Sequence, residues 1–165
     1  MEEAEKKACL KKALARLSRG DLTARQMLGY LTEKKLGREP FSREAAEETV
    51  RFLLKQGLLD DKRYLRLLLG KMDASFYGPR KIREELTKRK FSPALIERAL
   101  SRELDEPARA RALVEKERKT ELARNPEGRK KLGAFLVRKG YGYAAANAAI
   151  AALLRENPDW EDKEF

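Results

Sequence analysis

Leu86-Thr87-Lys88-Arg89-Lys90-Phe91 has a counterpart 50 residues later, Leu136-Val137-Arg138-Lys139-Gly140-Tyr141. The same shift places Lys81-Ile82 on Lys131-Leu132, and a shift of 55 places Leu31-Thr32-Glu33-Lys34-Lys35-Leu36 on the first segment. Each segment joins a basic stretch to a tight turn, and an apolar helix follows. Because self-similarity at a fixed period is typical of repeat architectures, the sequence predicts three tandem repeats.

Helix-forming residues dominate the chain, since Val, Ile and Thr supply only 11 of its 165 residues. Glycines interrupt the helical pattern at short intervals, which argues against one long coiled coil. Helix starts are marked by Thr23 with Gln26, a capping-box pair, by Ser42, and by Asp60 or Asp61. The predicted helices cover residues 3–17, 24–36, 43–56, 62–74, 79–90, 93–104, 107–123, 128–139 and 143–155.

The predicted fold is therefore all-α, with nine short helices in three tandem three-helix repeats that form an elongated, curved array. A unit of about 50 residues is marginal alone, so neighbouring repeats are expected to share apolar surface. The predicted boundaries are 1–59, 60–104 and 105–155 for the repeats, and 156–165 for an acidic tail that contains Trp160.

The composition excludes several classes of catalytic and metal-binding site. The chain has 38 Lys and Arg against 27 Asp and Glu, a net charge of +11, no histidine and a single cysteine, Cys9. Without histidine there is no Ser-His-Asp triad or HExxH metal site, and one cysteine cannot form an internal disulfide. No run approaches the roughly 20 apolar residues that span a bilayer. We expect a basic cytoplasmic protein that is not an enzyme and holds no cofactor or metal.

Positive charge concentrates on the predicted middle helix of each repeat. Residues 78–90 carry six bases and two acids, and residues 129–139 carry five bases and no acid. Lys and Arg neutralise phosphates with little sequence discrimination, so this pattern favours a polyanion as partner. The candidate binding residues are Arg25, Lys34, Lys35, Arg80, Lys81, Arg83, Lys88, Arg89, Lys90, Arg129, Lys130, Lys131, Arg138 and Lys139.

Other interpretations of these residues stay open. The bases could belong to a solvated surface of Glu–Lys pairs. A helix-turn-helix that recognises specific bases is less well supported, because few Asn and Gln are available to contact base edges. Aromatic residues beside the basic helices could stack on single-stranded nucleic acid, although core packing explains most such residues. These aromatic residues are Phe76, Tyr77, Phe91, Tyr141 and Tyr143.

Three segments in series resemble the RecX family of RecA regulators. Residues 57–64 (GLLDDKRY) are similar to its G-x-[LI]-[DN]-D-x-R-[FY] junction, and residues 78–86 (GPRKIREEL) to its G-x-x-[KR]-I-x-x-E-L helix. Residues 135–141 (FLVRKGY) resemble its F-L-x-R-[KR]-G-[FY] unit. The resemblance extends from about Ala13 to Leu154. Lys90 departs from the pattern where Gly is usual, and Leu65 departs where Ala is commoner.

The resemblance implies three three-helix repeats that bind the RecA–single-stranded-DNA filament along its groove. It implies inhibition of filament growth, ATP hydrolysis and strand exchange, and hence a role in recombination, DNA repair and the SOS response. The implied partners are RecA and single-stranded DNA, with non-specific binding of double-stranded DNA left open, and the protein is expected to act as a monomer. A general nucleic-acid-binding or architectural protein, driven by charge alone, is the alternative.

Overall fold

The protein is all-helical in the residues described by the structure, a computed structural model that covers residues 2–37 and 39–161. The α-helices of this part are α1 Glu2–Leu17, α2 Ala24–Thr32, α3 Arg43–Lys55, α4 Asp61–Ala74, α5 Pro79–Lys88, α6 Pro93–Leu100, α7 Glu106–Lys116, α8 Pro126–Arg138 and α9 Tyr143–Glu156. Short 3₁₀ helices cover Thr120–Arg124 and Pro158–Trp160. The prediction of nine helices without a strand is confirmed for this part of the chain.

The chain divides into two compact units. Unit 1 comprises Met1–Leu68 and Leu86–Leu95, and unit 2 comprises Leu69–Glu85 and Ile96–Phe165. The division into three repeats with an acidic tail stays a prediction, and residues 162–165 of that tail lie outside the described residues. Among the helices of the described part, none has the length and apolar character needed to cross a membrane.

The core of unit 1 lies where α1, α2 and α3 pack together. Its fully buried side chains include Met27, Leu31 and Leu53. Cys9 is buried in the same core, and this burial raises the pKa of its thiol. Cys9 is therefore an ordinary core residue of α1.

The core of unit 2 lies between α7, α8 and α9. The small residues Ala145, Ala146 and Ala149 let α9 approach its neighbours closely, while Leu132 and Leu136 fill the space from α8. Trp160 packs against this core, and the Arg124 guanidinium lies 5.9 Å from the centre of its ring. The tryptophan is thus docked on unit 2.

A half-buried polar network surrounds Asp73 in unit 2. The carboxylate accepts two hydrogen bonds from Arg102 at 2.6 and 2.7 Å, and one from Arg109 at 2.8 Å. Arg109 also donates to the carbonyl oxygen of Tyr77 at 2.8 Å. The Tyr141 hydroxyl donates to the carbonyl oxygen of Phe76 at 2.5 Å, and burial raises its pKa to about 12. These bonds tie the end of α4 and the residues after it to the segment after α6, to α7 and to the turn after α8.

Helix starts follow the predicted caps. The Thr23 hydroxyl accepts a hydrogen bond from the amide of Gln26, and the Gln26 side chain accepts one from the amide of Thr23. The Ser42 hydroxyl caps α3 by accepting a hydrogen bond from the amide of Ala45. Asp60 caps α4 by accepting from the amide of Arg63, whereas the Asp61 carboxylate accepts from the amide of Ala24 at the start of α2. Both aspartates are therefore explained by capping.

The helix end at Thr32 differs from the prediction, which extended α2 to residue 36. The carbonyl oxygen of Leu31 accepts from the amide of Phe41 at 3.0 Å, and Glu33 is extended at φ −73° and ψ 132°. Because the carbonyl oxygen of Leu31 accepts its hydrogen bond from Phe41, it does not accept the bond that would continue the helix. Lys34 and Lys35, predicted to lie on a basic helix, therefore lie beyond its end.

The helix ends near residues 100 and 117 were also predicted wrongly. α6 stops at Leu100, where the amide and the hydroxyl of Ser101 bond back to Glu97 and Arg98. The predicted helix 107–123 is broken, because Arg118 takes a left-handed conformation at φ +55°. The amide of Lys119 then bonds to the carbonyl oxygen of Val114 at 2.9 Å, which closes α7 with a Schellman turn.

The turn after α5 resembles the turn after α8 although it has lysine in place of glycine. Lys90 has φ +61° and Gly140 has φ +102°. The amides of Lys90 and Phe91 bond to the carbonyl oxygens of residues 87 and 86 at 3.0 and 3.2 Å. The amides of Gly140 and Tyr141 bond to those of residues 137 and 136 at 3.0 and 3.1 Å. The departure at Lys90 therefore leaves the hydrogen bonding of the turn intact.

Replacement of Lys90 by glycine should stabilise the protein. The left-handed conformation costs a residue with a Cβ about 1–2 kcal/mol, part of which is offset by the greater freedom of glycine in the unfolded chain. We expect Lys90→Gly to raise the free energy of unfolding by about 0.5–1 kcal/mol, measured by denaturant titration. Lys88→Gly removes the same charge from a helical residue and should lower it. Loss of stability in Lys90→Gly would contradict the prediction.

Asp73 should make stability depend on pH. The hydrogen bonds from Arg102 are the main cause that holds the pKa of the Asp73 carboxyl below its ordinary value. At neutral pH, Asp73→Asn should therefore lower the free energy of unfolding by about 1–3 kcal/mol. This difference should shrink below about pH 4, as the wild-type carboxylate becomes protonated and loses its advantage. Asp21→Asn, at an exposed position, should change little, and a pH-independent difference for Asp73→Asn would contradict the prediction.

Candidate nucleic-acid interface

Two glycines bring the start of α5 and the end of α8 into backbone contact within unit 2. The amide of Gly78 donates to the carbonyl oxygen of Lys139 at 2.7 Å, and the amide of Arg80 donates to that of Gly140 at 3.0 Å. A Cβ on Gly140 would lie 2.4 Å from the nitrogen of Lys81, and one on Gly78 would lie 2.4 Å from the carbonyl group of Gly140. We call this contact the glycine crossing. Only residues without a Cβ fit there.

The glycine crossing joins the two basic clusters that the sequence predicts. The ammonium groups of Lys81 and Lys139 lie 5.9 and 5.7 Å from the centre of the Tyr77 ring. Lys139 also lies 5.8 Å from the centre of the Phe135 ring. Aromatic faces attract cations, so the rings help to hold both ammonium groups. Lys81 is also paired with the Glu85 carboxylate at 3.7 Å, whereas Lys139 forms no ion pair with the other described residues. This arrangement can bind phosphate by charge and requires no particular base.

The remaining predicted bases of unit 2 differ in what they contact. Arg83 forms an ion pair with Glu97 at 2.5 Å, and Arg129 donates to the carbonyl oxygens of Ala123 and Trp160 at 2.9 and 3.3 Å. Arg83 and Arg129 are therefore already engaged within the protein. The other predicted bases of unit 2 are exposed and form no ion pair within the part of the chain that the structure describes: Arg80, Lys130, Lys131 and Arg138.

In unit 1 the structure brings Arg25 near the end of α5. The hydroxyl of Thr23 donates to the carbonyl oxygen of Arg89 at 2.7 Å, so the first turn of α2, which carries Arg25, lies beside the turn formed by Lys88, Arg89 and Lys90. Lys34 and Lys35 lie beyond the other end of α2, Thr32, which is about 10 Å from Arg25 along the helix axis. Lys35 forms an ion pair with Glu33 at 3.5 Å.

The five aromatic residues considered for stacking have different environments. Phe91 and Tyr141 are buried core residues, and Phe91 packs against Tyr64 with ring centres 5.3 Å apart and ring planes tilted by 42°. Phe76 and Tyr77 are half-buried beneath lysine ammonium groups. Tyr143 alone of the five is exposed, with 71% of its surface accessible.

Sequence reasoning missed two lysines of this region. Lys119 lies 5.0 Å from the centre of the Phe135 ring, and Lys116 lies 5.8 Å from that of Phe76 while donating to the carbonyl oxygen of Ala74. Lys116 is the last residue of α7 and Lys119 follows it, in a segment where acidic residues are interspersed with the basic ones, so local charge did not single them out. In the described ranges 2–37 and 39–161, no group of His, Cys, Asp and Glu is arranged to hold a metal ion.

Comparison with known proteins gives a consistent result, although no family model matches the chain. The chain is 32% identical over 123 residues to the protein named Regulatory protein RecX of Pseudomonas syringae pv. tomato, and the match covers 73% of this chain and 79% of that protein. It is 40% identical over 81 residues to Regulatory protein RecX of Pseudomonas putida, covering 48% and 57%. The same name belongs to a Trichlorobacter lovleyi protein that is 33% identical over 81 residues, covering 48% and 52%. The matches to these last two therefore span little more than half of each relative.

The glycine crossing should be intolerant of any side chain. For Gly140→Ala we expect a loss of about 3 kcal/mol in the free energy of unfolding, from backbone overlap and from the positive φ. Gly70→Ala is the matched control, because Gly70 lies exposed within α4 with nothing near its Cβ position, and it should gain about 0.5–1 kcal/mol. Denaturant titration of both variants provides the measurement. Equal stability of Gly140→Ala and wild type would show that the crossing is not tight.

Proposed function

The chain belongs to the RecX family of regulatory proteins, and from this premise we propose that it binds the RecA–single-stranded-DNA filament along its groove. In this proposal it inhibits filament growth, ATP hydrolysis and strand exchange, and so restrains recombination, DNA repair and the SOS response. RecA carries out the nucleotide chemistry, and this protein acts by occupying the filament.

The observation that supports the proposal most directly is the convergence of Lys81 and Lys139 over Tyr77 at the glycine crossing. Glu85 compensates part of the charge of Lys81, whereas Lys139 forms no ion pair with the other described residues, so an anion placed beside Lys139 gains from the remaining positive charge. A phosphate group or a carboxylate on RecA would both meet this condition. The same helices carry exposed bases that form no ion pair with the other described residues, and each of these bases can neutralise one further negative charge.

Charge alone could also drive association with any nucleic acid. In that case affinity for DNA would not need RecA, and it would fall steeply as the salt concentration rises. The two modes are separated by binding to single-stranded DNA and to RecA filaments in the same salt series. A regulator of the filament binds filaments more tightly than it binds the bare DNA.

ATP hydrolysis by RecA provides the direct test of the proposal. RecA, single-stranded DNA and ATP are mixed with a stoichiometric excess of the protein, and we expect turnover to fall and the protein to sediment with the filaments. Unchanged turnover without co-sedimentation would exclude the proposed function.

A charge-reversed variant should identify the interface. Replacement of Arg80, Lys81, Lys130 and Lys131 by Glu should weaken binding to single-stranded DNA at least about tenfold near 0.1 M salt, and it should reduce the salt slope by about 3 because up to four phosphate contacts are lost. The matched control replaces four exposed lysines elsewhere, Lys7, Lys11, Lys55 and Lys62, and changes the net charge equally. Binding by fluorescence anisotropy that is equal for both variants would show that only the total charge matters.

A further inference from the structure

A groove of about 840 Å³ runs between α8 and α9 in unit 2. On α8 its wall is formed by Lys130, Gly133, Ala134, Val137 and Arg138, and on α9 by Tyr143, Ala146, Asn147 and Ile150. Both sets follow helical spacings of three and four residues, so each helix presents one continuous face to the groove. The groove is separate from the glycine crossing, although both involve α8.

The floor of the groove is largely apolar and open. Gly133 has no side chain, and Ala134 and Ala146 each have only a methyl group, which leaves room between the two helices. An open, largely apolar surface can accept the face of a planar ring.

Tyr143 provides an aromatic face at the edge of this floor. It is 71% exposed, more than Phe52, the other exposed aromatic side chain among residues 2–37 and 39–161. Tyr143 does not belong to the buried face of α9, which is formed by residues such as Ala145 and Ala149. Asn147 follows one helical turn later and places an amide on the same side of α9.

The charges around the groove all have one sign. The charged residues that line it are Arg129, Lys130 and Arg138, and no acidic residue lines it. Arg129 is held by the carbonyl oxygens of Ala123 and Trp160. Lys130 and Arg138 are exposed and form no ion pair with the other described residues. An aromatic face with two available cations matches a nucleotide, whose base is planar and whose phosphates are anionic.

We propose that the α8–α9 groove binds single-stranded nucleic acid, with one base stacked on Tyr143 and the flanking phosphates contacting Lys130 and Arg138. The inference deepens the proposed function and rests on it for the biological role of the DNA contact. It adds a stacking interaction to an interface that otherwise depends on charge alone.

Binding of a fluorescein-labelled 20-nucleotide oligo(dT), without RecA, tests the stacking. Base stacking on an aromatic side chain is worth about 1–3 kcal/mol, so Tyr143→Ala should weaken binding by about 5- to 150-fold. Tyr143→Phe keeps the ring and should bind as wild type does. Phe52→Ala, at an exposed aromatic residue of unit 1, should also leave the affinity unchanged. Wild-type affinity in Tyr143→Ala would overturn the proposal.

An abasic oligonucleotide of the same length and charge separates stacking from charge. Wild type should bind it more weakly than oligo(dT), whereas Tyr143→Ala should bind the two alike. The salt slope should be unchanged in Tyr143→Ala and reduced by about 0.7 in each of Lys130→Gln and Arg138→Gln. Equal affinity of wild type for both oligonucleotides would overturn the stacking. A poly-glutamate peptide that displaces oligo(dT) from wild type but not from Tyr143→Ala would also overturn it, and would identify the groove as a site for acidic peptides.

The RecA assay distinguishes failure of this inference from failure of the proposed function. Base-dependent binding of oligo(dT) by a protein that does not inhibit RecA would uphold the groove and reject the regulatory role. Inhibition of RecA by a protein whose oligo(dT) binding does not depend on Tyr143 would uphold the regulatory role and reject the groove.

Discussion

The close approach of two backbones at Gly78 and Gly140 is the constraint on which the arrangement of unit 2 depends. A Cβ on either glycine would overlap the backbone of the other segment. The two hydrogen bonds across the contact form only because the two backbone segments approach this closely. The contact fixes where α5 begins relative to where α8 ends. It therefore determines which basic side chains meet, although neither glycine carries any charge itself.

Aromatic rings reduce the electrostatic repulsion between the two lysines at the glycine crossing. Lys81 and Lys139 would repel each other in the absence of compensating groups, and the Tyr77 ring attracts both. Lys81 also lies 3.7 Å from the Glu85 carboxylate one turn along α5. The residual positive charge lies on two half-buried lysines at a defined place, which gives a binding partner a fixed target and reduces the side-chain entropy lost on association.

Much of the fold could be predicted because helix starts are encoded locally. A Thr23–Gln26 capping box or a Ser42 cap involves residues three apart, so the sequence contains the whole signal. Helix ends were predicted less well, because Lys90 and Arg118 adopt a left-handed conformation that is usually associated with glycine. The end of α2 depends on a hydrogen bond from Phe41, which lies outside the helix.

The candidate interface was predictable in its residue types and unpredictable in its geometry. Local charge counts find Lys81 and Lys139, but their meeting depends on a backbone contact between residues 62 positions apart. Charge counts also treat all bases as equal, whereas Arg83 is paired with Glu97 and Arg129 donates hydrogen bonds to two carbonyl oxygens. A base that already has an internal partner must lose it before it can meet a phosphate, so its net contribution to binding is small. The useful positive charge of the protein is therefore set by the arrangement of its carboxylates and carbonyl groups as much as by the number of its lysines and arginines.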